Sequence, residues 1–159
     1  MNIFVLSTQP VEAAKFHCDK HIVKMPLETA QMLCAVYDRY GEEAPYKATH
    51  ANHPCTVWAG QSIENYKWLW NLGRALCDEY TYRYRKIHAC AEVLTLVKCP
   101  PVGLTSRGFT KFAQAMPDEY KHRDTVFAYH NYYRGAKSDI AVWTKREVPW
   151  FMEKQHEIK

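Results

Sequence analysis

No stretch of the 159-residue chain approaches the roughly 18 consecutive apolar residues that a membrane-spanning helix needs, so that class is excluded and no membrane partner is expected. Met1 to Ser7 carry no basic segment, and the apolar run Ile3 to Leu6 is too short for a secretory leader. Cys18, Cys34, Cys55, Cys77, Cys90 and Cys99 form no C-x-x-C pair and no repeating spacing, which argues for reduced thiols rather than a disulfide framework. These absences predict a cytoplasmic protein. Alternation of period two is nearly missing, which leaves little room for strands. Nor is there an internal repeat, a low-complexity tract or a linker, so residues 1–159 read as one domain. The charge balance lacks weight as well. A net charge of +4 and a pI near 8.7 describe a mildly basic chain, which permits anionic partners without demanding them.

What the chain does have is 47% hydrophobic residues, which excludes disorder, and 14% aromatics, with eleven Tyr, five Trp and eight His. A helical pattern runs from about Val11 to Tyr40 and stops at Gly41, with Pro26 expected to kink or divide it. Residues 41–56 read as a loop. A second long helix is expected from about Thr56 to Ala91, carrying a stripe of Leu69, Leu72, Leu76 and Tyr80. Residues 98–109 form a Pro/Gly-rich loop, and shorter helices are expected near 110–116, 118–134 and 138–147. The fold class is therefore all-α: a compact single-domain helical fold with two long helices and an extended N-terminal segment at residues 3–6.

On a wheel of about 100° per residue, Ile22, Val23, Pro26, Leu27, Ala30, Leu33, Cys34 and Tyr37 gather on one side of the first long helix. His17, His21, Lys24, Glu28 and Gln31 line the other, at spacings of 4, 3, 4 and 3. Such a stripe can be a solvated face. Its composition points elsewhere, because solvated faces are rich in Lys and Glu, whereas two imidazoles, an amine, a carboxylate and an amide can run acid–base chemistry near neutral pH. His17-x-x-x-His21 also has the one-face spacing of helical metal sites, with His50 or His53 as further ligands.

Two segments interleave cations with aromatics. One is Tyr80 to His88, containing Arg83 and Arg85; the other is Tyr129 to Lys137, containing Tyr132, Tyr133 and Arg134 and followed by Trp143 to Arg146. Cations neutralise phosphates and rings stack on bases, so such mixtures suit nucleic-acid surfaces. Packed tyrosines with cations reaching out to solvent give the same pattern.

The order of these segments resembles the pyrimidine-dimer DNA glycosylases of the phage endonuclease V family. Asp19-Lys20-His21-Ile22 is similar to the family's D-Q-H-L motif, and Glu28 follows His21 by seven residues, the spacing of the family's catalytic Glu. Pro26 recurs within the same helix. Thr49-His50-Ala-Asn-His53-Pro54 is similar to an expanded T-H-P segment. Tyr82-Arg83-Tyr84-Arg85 resembles the basic turn that ends the family's second helix, and His130-Asn-Tyr132-Tyr133-Arg134-Gly135-Ala-Lys137 resembles its DNA-contacting W-Y-K-Y-Y-G-K. The 92–117 segment has no counterpart.

The resemblance implies a glycosylase and abasic-site lyase acting on a damaged or modified base in double-stranded DNA, as a monomer, without a cofactor or metal, in a bacterial or phage-infected cell. An amine attacks C1′ and forms a Schiff base with the opened sugar, and Glu28 stabilises the developing charge and assists elimination. His21 and Lys24 then contact phosphate or sugar. The substrate-binding set is His17, Gln31, His53, Arg83, Arg85, Tyr132, Tyr133, Arg134 and Lys137. The family's amine is that of a Thr exposed by Met removal, whereas Asn2 occupies that place here. The Met1 amine or Lys24 then serves, or the glycosylase chemistry is lost. Two other readings stay open: a metal-dependent enzyme of nucleotide or nucleic-acid metabolism using His17, His21 and His53, and a non-catalytic DNA-binding accessory protein.

Overall fold

The first regular element starts at a proline. In the computed structural model, which describes residues 1–153, helix α1 spans Pro10–Phe16 and helix α2 spans Asp19–Arg39. Pro10 stands in the first turn, where its fixed φ suits a helix and its missing N–H has no intrahelical partner to lose. The single helix expected over Val11 to Tyr40 is therefore two, and the break falls at His17–Cys18 rather than at Pro26. Both residues take extended backbone. The later chain fills the gap: the Trp143 indole donates to the Phe16 carbonyl at 2.8 Å, and the Val142 carbonyl accepts the Asp19 N–H at 2.8 Å.

Helix α2 runs on through Pro26. A proline inside a helix releases carbonyls in the turn before it. In that turn the His88 ring donates from Nε2 to the Val23 carbonyl at 2.8 Å, while its Nδ1 accepts the Cys90 N–H. The second expected helix, over 56–91, is three: α3 (Pro54–Ala59), α4 (Ile63–Tyr84) and α5 (Cys90–Leu96). Ser62 caps α4 by accepting the Asn65 N–H at 3.0 Å, and the helix stops where Arg85 turns left-handed at φ 54°.

Helices α2 and α4 pack together at the centre, with α1 on α4 and α3 on α2. Gly73 permits this approach, because a Cβ there would lie 2.7 Å from Cγ2 of Thr29. Ile22, Met25 and Leu33 of α2 meet Leu69, Leu72 and Leu76 of α4 in one buried cluster. Burying each such side chain contributes about 1.5–3 kcal/mol. The N-terminal segment is non-helical and threads into this core, with Ile3, Phe4, Val5 and Leu6 all buried.

Beyond α5 the chain is largely irregular. No helix forms at 110–116, because backbone donors there serve distant side chains: Thr110 N–H bonds Asn65 Oδ1, and Ala115 N–H bonds the Tyr129 hydroxyl. The helices expected over 118–134 and 138–147 reduce to a 3-10 turn at Asp118–Tyr120, helix α6 (Thr125–Ala136) and a 3-10 turn at Ser138–Ile140. Asp124 caps α6 by accepting the Phe127 N–H at 3.2 Å. Among the described residues there is no strand, and the fold is all-α.

Candidate active site

The polar stripe is turned largely inward, with Lys24 its exposed member. Because the N-terminal segment and α6 cover that side, His17, His21 and Glu28 are buried, whereas Val23 and Leu27 are 49% and 40% exposed. The expected apolar flank of the helix is thus partly the solvent side. Gln31 is half-buried and lies outside the cavity described next.

A cavity of about 320 Å³ opens where the start of the chain meets α2, and its lining includes Met1, Asn2, His21, Lys24, Glu28 and His53. Phe4, Ala115, Tyr132 and Lys137 complete much of the wall. The Met1 amine stands 3.2 Å from Glu28 Oε1, and Lys24 Nζ stands 3.5 Å from Oε2. The two amines differ in setting: Lys24 carries its amine on a side chain that is 69% exposed, whereas Met1 is half-buried and its side chain is packed inside. The backbone behind the amine is pinned by Asn2. Its Nδ2 donates to the Ala115 carbonyl at 2.8 Å, and its Oδ1 accepts the Ile3 N–H and the Tyr129 hydroxyl, each at 2.8 Å.

His21 is held on both faces of its chemistry. Its ring stacks on Phe4 at 4.3 Å, and Nδ1 lies 2.6 Å from the Tyr133 hydroxyl. Burial lowers its pKa from 6.5 to about 3, helped by His17, Lys137 and Lys24, so the ring is neutral at physiological pH. Burial also raises the Tyr133 phenol well above its ordinary range, so that group keeps its proton. The Tyr133 oxygen already accepts the Cys18 N–H at 3.2 Å. The hydroxyl donates best to His21 Nδ1, at 2.6 Å against 3.7 Å to the Cys18 sulfur, which leaves His21 as the Nε2–H tautomer, a neutral donor on a residue that lines the cavity. His53 is also shifted down, by burial first and then by the nearby amine, and its Nδ1 accepts the Cys55 N–H at the start of α3.

Several residues expected at a nucleic-acid surface are elsewhere. Arg83 is 3% exposed: its guanidinium bonds Glu79, Asp19 and the Lys15 carbonyl, each at 3.0 Å. Tyr133 and His17 are buried too, so Tyr133 supports His21, and His17 Nδ1 bonds the Ala13 carbonyl at 2.6 Å. A hydrogen-bonded tyrosine and an inward-pointing arginine read the same in sequence as surface ones. Arg134 is spent partly on the Phe151 carbonyl at 2.9 Å, while Arg85 is exposed at the end of α4. Tyr132 and Lys137 do reach the cavity, with Lys137 Nζ 5.0 Å above the Tyr132 ring. The set His17, His21 and His53 forms no metal-ligand cluster, and among the described residues no three His, Cys, Asp or Glu side chains do. Phe4, Ala115 and Tyr129 belong to the site and escaped sequence reasoning. Only the apolar run at residues 3–6 hinted that the N-terminus is drawn inside.

The sequence model of the family described as pyrimidine dimer DNA glycosylase matches residues 1–92. No curated protein matches the chain, and no solved structure does. The matched span includes Met1, His21, Lys24, Glu28 and His53. Ala115, Tyr132 and Lys137 lie outside it.

Proposed function

The chain belongs to the pyrimidine dimer DNA glycosylase family, and from that premise we propose that it excises a damaged or modified base from duplex DNA through a covalent amine intermediate. The Met1 amine attacks C1′ of the nucleotide, the C1′–base bond breaks, and the base departs with the electron pair. Loss of a proton from nitrogen and opening of the sugar give a Schiff base. Glu28 Oε1 stands 3.2 Å from that nitrogen, where a carboxylate accepts the amine proton and stabilises the positive charge that develops on the sugar. The same carboxylate then assists elimination of the 3′ phosphate. The neutral His21 donates from Nε2 to a sugar or phosphate oxygen, and Lys24 and Lys137 bring positive charge to the cavity that receives the backbone.

The observation that carries this reading is the contact between the chain's α-amine and a buried carboxylate at the wall of an open cavity. Lys24 offers a second amine on the same carboxylate. As classes, α-amines lose their proton at about pH 7.7–8.0 and lysines at about 10.4, so an α-amine is the readier nucleophile at neutral pH. The test is borohydride trapping on duplex DNA with an abasic site. A covalent adduct is expected on the N-terminal peptide, and Glu28→Gln should slow its formation by about 100-fold or more. A protein that binds the duplex but yields no adduct is a binding module instead.

A further inference from the structure

The segment beyond the family match builds a second concave surface. Lys111, Phe112, Gln114, Lys121, His122 and Arg123 line a groove of about 600 Å³ that contains no carboxylate. One strap of chain serves both places: Ala115 lines the catalytic cavity, while Phe112 and Gln114 line the groove. Phe112 is fixed by stacking on Trp58 at 5.0 Å and meeting Trp68 edge-on at 4.9 Å. Gln114 bridges the two sides. Its Oε1 accepts the His122 N–H at 3.0 Å, and its Nε2 donates to the His122 carbonyl. The cations therefore project from a braced frame.

Their charge is largely uncommitted. Among the described residues Lys111 and Arg123 make no ion pair, and Lys121 pairs at 2.9 Å with Asp118, a carboxylate that is itself 95% exposed. Exposed pairs of that kind are weak, so a phosphate can replace Asp118. Asp124 is engaged in capping α6, and Glu119 does not line the groove.

We propose that this groove binds the phosphodiester backbone of duplex DNA beside the lesion, with Lys111, Lys121 and Arg123 as phosphate contacts that set the register of the strand over the catalytic cavity. The inference rests on the DNA-directed reading above. A polymer is favoured over a free nucleotide because three cations are spread along an open groove that shares a wall segment with the cavity. Contacts to phosphate position a protein on DNA without reading sequence, which suits an enzyme that acts on a lesion wherever it lies.

The test is equilibrium binding to undamaged duplex over a series of salt concentrations, which needs no lyase chemistry. The Lys111→Gln/Lys121→Gln/Arg123→Gln variant should bind about 10- to 100-fold more weakly near 0.1 M salt, with the log–log salt slope shallower by about two to three. A control lacking Lys47, Lys67 and Lys98 removes equal charge elsewhere and should leave affinity near the starting value. An unchanged affinity and slope in the groove variant overturns the proposal, and so does an equal loss in the control. Wild-type protein that binds duplex but forms no trapped adduct defeats the lyase reading and leaves the groove standing.

Discussion

Two carboxylates of α2 meet two very different sets of partners. At its N-terminal end Asp19 belongs to a saturated knot: Oδ1 accepts from Arg83 and the Thr144 N–H, and Oδ2 accepts the Thr144 hydroxyl at 2.6 Å. Glu79 completes it, taking Arg83 and Arg146 on Oε1 and Arg146 again on Oε2. Farther along the same helix, Glu28 has two ion contacts, the Met1 amine at 3.2 Å and an exposed lysine at 3.5 Å, and it faces a cavity. The knot spends its charge on fixed forks and turns. The cavity keeps an amine–carboxylate pair with room for a third party. A chain can thus use one helix for both purposes, and what separates structure from chemistry is whether the charged groups are satisfied before a ligand arrives.

The harshest way to break that contrast is to open the knot. Arg83→Met leaves Asp19 and Glu79 short of their shared cation in a buried setting, and a loss of about 3–5 kcal/mol is expected in urea unfolding. Arg83→Lys should recover little, because a single ammonium cannot reproduce contacts to Glu79, Asp19 and the Lys15 carbonyl together. The acid behaviour follows from Glu79. Burial works to raise its pKa, but Arg146 and Arg83 outweigh burial and hold it below the ordinary value of 4.5. Its contribution is therefore complete above about pH 4.5 and is lost as pH falls through the depressed folded value.

A smaller effect separates the two regions by pH. His17 lies between them, with its ring 6.4 Å from that of His21 and its charge felt by Arg83 and Glu79. Burial lowers its pKa from 6.5 to about 4, and Nε2 has no partner to stabilise a proton. A depressed folded pKa means that stability is full above 6.5 and declines as pH falls, until the folded ring itself protonates near 4. At pH 5 this amounts to about 2 kcal/mol. His17→Gln should reduce the decline between pH 7 and 5 by about 2 kcal/mol, leaving the similar share that His21 contributes over that range and the Glu79 limb below pH 4.5 in place. Thermal unfolding at pH 7, 5 and 4 reads both. An upper limb as steep as in the unaltered protein means that His17 does not contribute to it.

The sequence carried these regions unequally. The stripe from His17 to Gln31 was visible, because a 3.6-residue period aligns side chains whatever covers them. Its burial was not. An inward polar face and a solvated one share the same period, and only the apolar Ile3 to Leu6 segment laid across α2 decides between them. The break before Asp19 was equally hidden, since it is fixed by Trp143 and Val142 from far along the chain. Pro26 looked like the natural break, yet the packed helix continues through it. Arg83 and Tyr133 read as surface residues because composition cannot show which arginine a buried carboxylate claims. The groove at 111–123 left no periodic trace at all, being built from side-chain bonds to irregular backbone.

The mildest substitution bears most directly on the chemistry. Lys24 and Met1 share Glu28, but Lys24 is itself mostly exposed and Glu28 stays paired with the Met1 amine when it is removed, so the contact is worth about 0–1 kcal/mol and Lys24→Gln should shift the unfolding midpoint barely at all. If the Met1 amine is the nucleophile, this variant still yields a borohydride-trapped adduct, and peptide mapping still places it at the N-terminus. A Gly-Ser extension ahead of Met1 is the converse change. It carries the amine away from Glu28 by up to about 3.5 Å per added residue, with Lys24 untouched, and should abolish the adduct. The reverse pattern, with trapping lost in Lys24→Gln and kept in the extended chain, assigns the covalent step to Lys24. Either way the pair of variants asks whether the α-amine or the lysine amine reacts.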